Sequence, residues 1–241
     1  MEWRDEGLVI GVRRHGEGSA IVEAMTRHHG RHLGLVRGAR SPRLQGVLQP
    51  GNSLALVWRA RLDEHLGAFA VEALNLRAGR LIASGMALAG ISYLGALARL
   101  LPERDAHEAL FTALTLIAEH LDSPRIAPPL LAHFELQMLS ECGFRLDLDA
   151  CAATGARENL IYVSPKSGRA VSGAAGAPYR ERLLPLPAFL RGDAANAAPS
   201  AADLEGAFRL TRFFLERDLF GARGLEVPDA RRAFLAAALR E

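Results

Sequence analysis

Cysteine is scarce: only Cys142 and Cys151 occur in 241 residues. Two thiols are too few for a disulfide framework, so a reduced, cytoplasmic setting is the simplest reading. Lysine is scarcer still. Lys166 stands alone, and every other permanent cation is arginine. No run of about 18 consecutive apolar residues occurs, which argues against a transmembrane helix. The start, Met1-Glu-Trp-Arg-Asp-Glu6, is charged and lacks the apolar stretch of a signal peptide. Lys166 is not preceded by the glycine pattern of a phosphate loop. The dinucleotide fingerprint and the nucleophile elbow are missing too. No enzyme active site and no cofactor are therefore expected.

What is present is an ordinary globular composition, 49% hydrophobic with mean hydropathy +0.07, and an uneven charge. Residues 1–80 hold 12 Arg against 8 Asp and Glu, a balance of +4, although the whole chain carries only +2. A GC-rich coding bias accounts for the missing lysine. It does not account for a positive excess confined to the first third, which suits a phosphate-rich partner.

Period-two alternation marks residues 1–78. Leu8, Ile10 and Val12 share one side of a strand, as do Leu54, Leu56 and Trp58. Turn signals separate five strands, expected near 6–14, 19–27, 31–38, 52–61 and 67–76. Five short strands in so few residues suggest a small closed barrel. From residue 80 the period becomes helical. Leu81, Leu88, Ile91, Leu94, Leu97 and Leu101 line one helix, and Leu110, Leu114, Ile117 and Leu121 a second. A third helix opens at Pro128-Pro129 and stops near Cys142-Gly143. A Gly-, Ser- and Pro-rich insert follows, in which Leu160–Val163 and Arg169–Val171 could pair as a hairpin. Helices near 200–218 and 228–239, and a small-residue linker at Ala194–Ala202, complete the chain. The fold class is α+β and multidomain: barrel 1–78, helical domain 79–150 and 179–241, insert 151–178.

The candidate chemistry is cationic. Arg13 and Arg14 end the first strand. Arg37, Arg40 and Arg43 surround a Gly38 and Ser41-Pro42 turn. Arg59 and Arg61 share the outward face of the fourth strand. Guanidinium groups on a small barrel are how single-stranded nucleic acid is gripped. The competing reading is a solvated face with local ion pairs, such as Arg61 with Asp63 or Glu64. With few barrel aromatics, and with Trp58 pointing inward, phosphate contact is favoured over base stacking. His28, His29 and His32 read as exposed turn residues rather than a metal site. Arg145 and Lys166, beside Leu136, Leu139 and Phe144, could rim a pocket for an acidic-hydrophobic peptide tail.

Residues 151–175 hold a gap in a pattern. Cys151-Ala-Ala-Thr154 and Ser172-Gly-Ala-Ala175 are spaced like the two halves of a four-cysteine zinc ribbon, but only Cys151 can ligate. No metal is expected.

Several pieces together resemble the RecO family of bacterial recombination mediators. They are Glu6-Gly-Leu-Val-Ile10 with His15-Gly-Glu-Gly-Ser19, then Gly34-Leu-Val-Arg-Gly-Ala-Arg40 with Leu48-Gln-Pro50. Phe134-Glu-Leu136 with Gly143-Phe144, Asp147-Leu-Asp149 to Cys151, and Tyr162 to Gly168 follow in order. The resemblance implies an N-terminal OB-fold, a helical domain and a zinc-finger-like insert. It also implies binding of single- and double-stranded DNA, strand annealing, and work with RecR and RecF in the cytoplasm at the nucleoid. RecA loading on DNA coated with single-strand-binding protein (SSB) follows, with the acidic C-terminal tail of SSB docking on the helical domain. Three alternatives stand beside it: an OB-fold RNA-binding protein, an adaptor for peptide tails without a DNA role, and a metal-dependent enzyme.

Overall fold

In a computed structural model that describes residues 1–191 and 198–239, strand pairing follows the alternating pattern. The strands are β1 (Glu2–His15), β2 (Ser19–Thr26), β3 (Arg31–Val36), β4 (Ser53–Arg59) and β5 (Ala68–Asn75). Antiparallel ladders join β1 to β2, β2 to β3, β1 to β4 and β4 to β5. One parallel bridge, Leu35 to Ala68, joins β3 to β5. The sheet thus closes in the order β1-β2-β3-β5-β4. Following register partners from Arg13 gives Ile21, Leu35, Ala68 and Arg59, and Arg59 returns to β1 at Glu2 rather than at Arg13. Such slippage is what strand tilt in a small barrel demands.

Inward-facing Val9, Val22, Leu54, Leu56, Trp58 and Phe69 fill the barrel. Gly34 makes room for Phe69: a Cβ there would lie 2.3 Å from the ring. β1 begins four residues before its expected start, because Glu2 and Trp3 continue the register opposite Arg59 and Trp58. β4 ends at Arg59, so Arg61 lies in the loop that follows and not on the strand face.

The helices are α1 (Pro42–Val47), α2 (Ala78–Ile82), α3 (Gly85–Ala98), α4 (Glu108–His120), α5 (Ala127–Glu141), α6 (Gly173–Gly176), α7 (Ala201–Phe214) and α8 (Asp229–Ala238). The single helix expected over Leu81–Leu101 is two. Ser84 is extended, and its Oγ accepts the Ala87 N–H at 3.2 Å, a cap that starts α3 afresh. Leu88, placed on the buried side by periodicity, is 48% exposed. The chain divides into two compact units: Met1–Ser123 with the segment from Pro228, and Pro124–Val227. The barrel therefore shares its unit with α2, α3, α4 and α8, although the change of sequence period falls near residue 78.

Asn52 ties that first unit together. Its side chain is fully buried. Oδ1 accepts the backbone N–H of Arg77 at 2.8 Å and of Ala78 at 2.9 Å, and Nδ2 donates to the Gly46 and Val47 carbonyls at 2.9 Å each. Buried Arg77 donates to Glu119 and, at 2.9 Å, to Ser53 Oγ.

In the second unit, α5 begins with its two prolines in the first turn, where a missing N–H costs nothing. It ends at Cys142, followed by Gly143 at φ +89°. A capping box between Ser200 and Asp203 starts α7. The hairpin of β6 (Leu160–Val163) and β7 (Ala170–Ser172) forms, and β8 (Leu184–Pro185), not foreseen, adds a third strand in the order β7-β6-β8. Residues 194–197 of the expected Ala194–Ala202 linker lie outside the described residues, and Ala201 and Ala202 already belong to α7. Among the described residues no helix is long and apolar enough to cross a membrane.

Candidate nucleic-acid interface

The arginines of residues 1–99 fall into two groups. Arg27, Arg31, Arg59, Arg77, Arg80 and Arg99 each meet a carboxylate. Arg4, Arg13, Arg14, Arg37, Arg40, Arg43 and Arg61 are exposed, and among the described residues none of them has an ion-pair partner. Six of the seven expected phosphate-facing arginines thus carry uncompensated charge. Arg61 does not pair with Asp63 or Glu64. Arg59 is the exception: Glu2 sits directly opposite it across β1 and β4, and accepts from Nε at 2.7 Å and from a terminal nitrogen at 3.2 Å. Arg4 is the residue that pattern reasoning missed. It lies on the part of β1 that was not expected to be strand.

The register gathers several of these groups. Arg14, Ala20 and Val36 form one rung across β1, β2 and β3. Arg13 and Arg14 therefore end their hairpin beside the turn that begins at Arg37. That turn is pinned from below. Ala39 and Leu48 are buried in the barrel core. Gly38, at φ +66°, reverses the chain, and its carbonyl accepts the Ser41 N–H at 3.0 Å. Ser41 caps α1, and Gln45 Nε2 donates to the Arg40 carbonyl at 2.8 Å. A small buried residue holds the loop while three guanidinium groups splay into solvent.

The histidines depart from expectation. Asp5, nearly buried, accepts from His28 Nδ1 at 3.0 Å, His29 Nδ1 at 2.9 Å and the His28 backbone N–H at 2.8 Å. Burial alone would raise the Asp5 carboxyl, but the donors from His29, His28 and Glu6 outweigh it and hold the group below the usual range. His29 stacks on Trp3 at 4.1 Å and 8°. His32 is not in a turn at all. It is buried on β3, edge-on to Trp58 and Phe69. Strand β2 and the tight Gly30 turn bring these rings under β1, a contact that sequence spacing does not display.

Burial keeps His32 neutral and lowers its pKa, and the hydrogen bond to the Leu33 carbonyl offsets only part of this. The unfolded chain takes up that proton near pH 6.5 while the folded chain does not, so stability is lost as pH falls below about 6.5. His32→Phe is expected to flatten the decline in urea-melt stability between pH 7 and pH 5. An unaltered decline would assign it to other groups.

The insert brings together three of the four positions that zinc would need. Cys151 is buried, and its Sγ lies 3.5 Å from Ser172 Oγ and accepts the Ser172 N–H at 3.3 Å. Hydroxyls of Ser172 and Thr154 favour the thiolate and lower the Cys151 pKa. Gly155, at φ +73°, closes the turn, with Cys151 N–H donating to the Ala156 carbonyl at 2.7 Å. Two hydroxyls, one thiol and Ala175 do not make a structural zinc set. Among the described residues no group of three or more His, Cys, Asp or Glu is arranged to hold a metal ion, the Asp5, His28 and His29 contacts included.

The residues expected to hold a peptide tail are only partly available. Leu139 is fully buried in the core of the second unit and cannot line a surface pocket. Helix packing claims its side of α5. Leu136 is half-buried, whereas Phe144, Arg145 and Lys166 are exposed.

A β-module followed by a largely helical region defines a two-domain class, and sequence comparison identifies which. Residues 1–77 match the family described as Recombination protein O N terminal, and residues 83–224 match Recombination protein O C terminal. The DNA repair protein RecO of Methylocella silvestris is 62% identical over 236 residues, covering 98% of this chain and 95% of its own length. That of Mesorhizobium japonicum is 59% identical over 238 residues, covering 98% and 93%. The chain belongs to the RecO family of DNA repair and recombination proteins.

Proposed function

We propose that this chain is a recombination mediator that binds single- and double-stranded DNA and anneals complementary strands. It helps load RecA onto SSB-coated DNA, in company with RecR and RecF, and receives the acidic SSB tail near Arg145, Lys166, Leu136 and Phe144. In this reading the closed β-module is an OB-fold, and the insert is a zinc-ribbon-like knuckle held without metal. The domain partition at 1–78, with the helical part at 79–150 and 179–241 and the insert at 151–178, belongs to the same reading. The observation that carries it is the set of exposed arginines without carboxylate partners on the barrel unit.

The mechanism is electrostatic. Two DNA strands repel through their phosphates. Guanidinium groups at Arg13, Arg14, Arg37, Arg40, Arg43 and Arg61 displace counterions, lower that repulsion and leave the bases free to pair. Arg59 contributes once a phosphate displaces Glu2, an exchange that an exposed ion pair permits. The test is annealing of complementary oligonucleotides by the purified protein across a salt series, with and without SSB. Annealing that fades steeply with salt is expected, and Glu2→Ala, which frees Arg59, is expected to strengthen DNA binding. Absence of annealing at every salt concentration would defeat the proposal.

A further inference from the structure

Among the described residues, the barrel unit offers cations but no exposed Trp, Tyr or Phe. Trp58 and Phe69 are buried, and Trp3 is stacked between His29 and Trp58. The second unit carries what the barrel lacks. A 3-10 helix, Ala177–Arg182, lines an open cavity of about 570 Å³. Its Tyr179 is 59% exposed. Residues three apart eclipse in a 3-10 helix, so Tyr179 and Arg182 share one side with Arg180 beside them. Among the described residues neither arginine has an ion-pair partner. The helix has a firm seat: it follows directly on α6, where a Cβ on Gly176 would lie 2.5 Å from the Tyr162 ring.

The geometry points to a nucleotide contact on this helix, in which Tyr179 stacks on one base of single-stranded DNA while Arg180 and Arg182 hold the flanking phosphates. The inference rests on the DNA-binding reading of the chain and adds a second surface to it. A base needs only a ring face and neighbouring cations. An acidic peptide needs an apolar recess for its anchor side chains, and among the described residues this cavity offers Ala177, Pro178 and the exposed Tyr179 ring rather than an enclosed apolar recess.

The probe is a short fluorescein-labelled oligothymidylate at low salt, followed by anisotropy, with a duplex of equal length beside it. Tyr179→Ala is expected to weaken single-strand binding about 5- to 150-fold, with less loss on duplex, and Tyr179→Phe to restore it. Arg180→Ala with Arg182→Ala is expected to reduce the slope of log affinity against log salt by roughly 1.4. All three side chains are exposed, so the variants are expected to melt like the unaltered protein. If the unaltered protein binds and these variants match it in affinity and slope, the contact is refuted. Hexa-aspartate binding that the double arginine variant loses, with oligothymidylate binding intact, would overturn it in favour of a peptide site. No binding by the unaltered protein would instead defeat the reading of the chain as a DNA mediator, and this inference with it.

Discussion

Replacing Arg37, Arg40 and Arg43 together by alanine is expected to weaken single-stranded DNA binding about 100-fold at low salt and to reduce the salt slope by roughly 2. The turn should survive the change. Its contacts run through buried Ala39, the Ser41 cap and the Arg40 carbonyl, none of which needs a guanidinium group. Loss of affinity would then report charge alone. Binding titrations at several salt concentrations, on the triple variant and on Arg59→Ala, check this. The single variant should lose less, because Glu2 already engages that side chain. If the triple variant keeps the full slope, these three residues do not touch phosphate.

Asn52→Ala is expected to destabilise the first unit by about 3–5 kcal/mol. The substitution removes both halves of a buried amide. Backbone donors at Arg77 and Ala78 lose their acceptor, and the Gly46 and Val47 carbonyls lose a donor. Each stranded buried group costs on the order of 1–3 kcal/mol, and local relaxation returns some of it. Against a typical stability of about 5–15 kcal/mol this is a large fraction. Thermal and urea melts measure it. A loss below about 1 kcal/mol would mean that water reaches and satisfies these groups.

Much of the fold was legible because each element keeps one clear period. Alternation fixed the strands, and Pro128-Pro129 announced the start of α5. Boundaries escaped where a long-range partner sets them. Glu2 belongs to β1 only because Arg59 stands opposite, 57 residues away in sequence. The break at Ser84 escaped because the apolar spacing runs smoothly across it. Leu139 looked like a pocket residue because spacing names a face without saying what covers it. Residue type and turn context together identified six exposed cations, yet nothing local distinguishes Arg59, which is compensated, from Arg61, which is not. Asp5, His29 and His32 were illegible for the same reason: strand register, not neighbourhood along the chain, makes their contacts.

The loop at Cys151 bears on how the second unit meets chelators and oxidants. A loop fastened by hydroxyl and thiol contacts is expected to keep its shape when a chelator strips away divalent ions. Peroxide attacks thiolates, and Cys151, whose hydroxyl neighbours favour its ionised form, is the sulfur that fastens this loop. An oxidant that reaches the site is expected to loosen the loop through that sulfur alone.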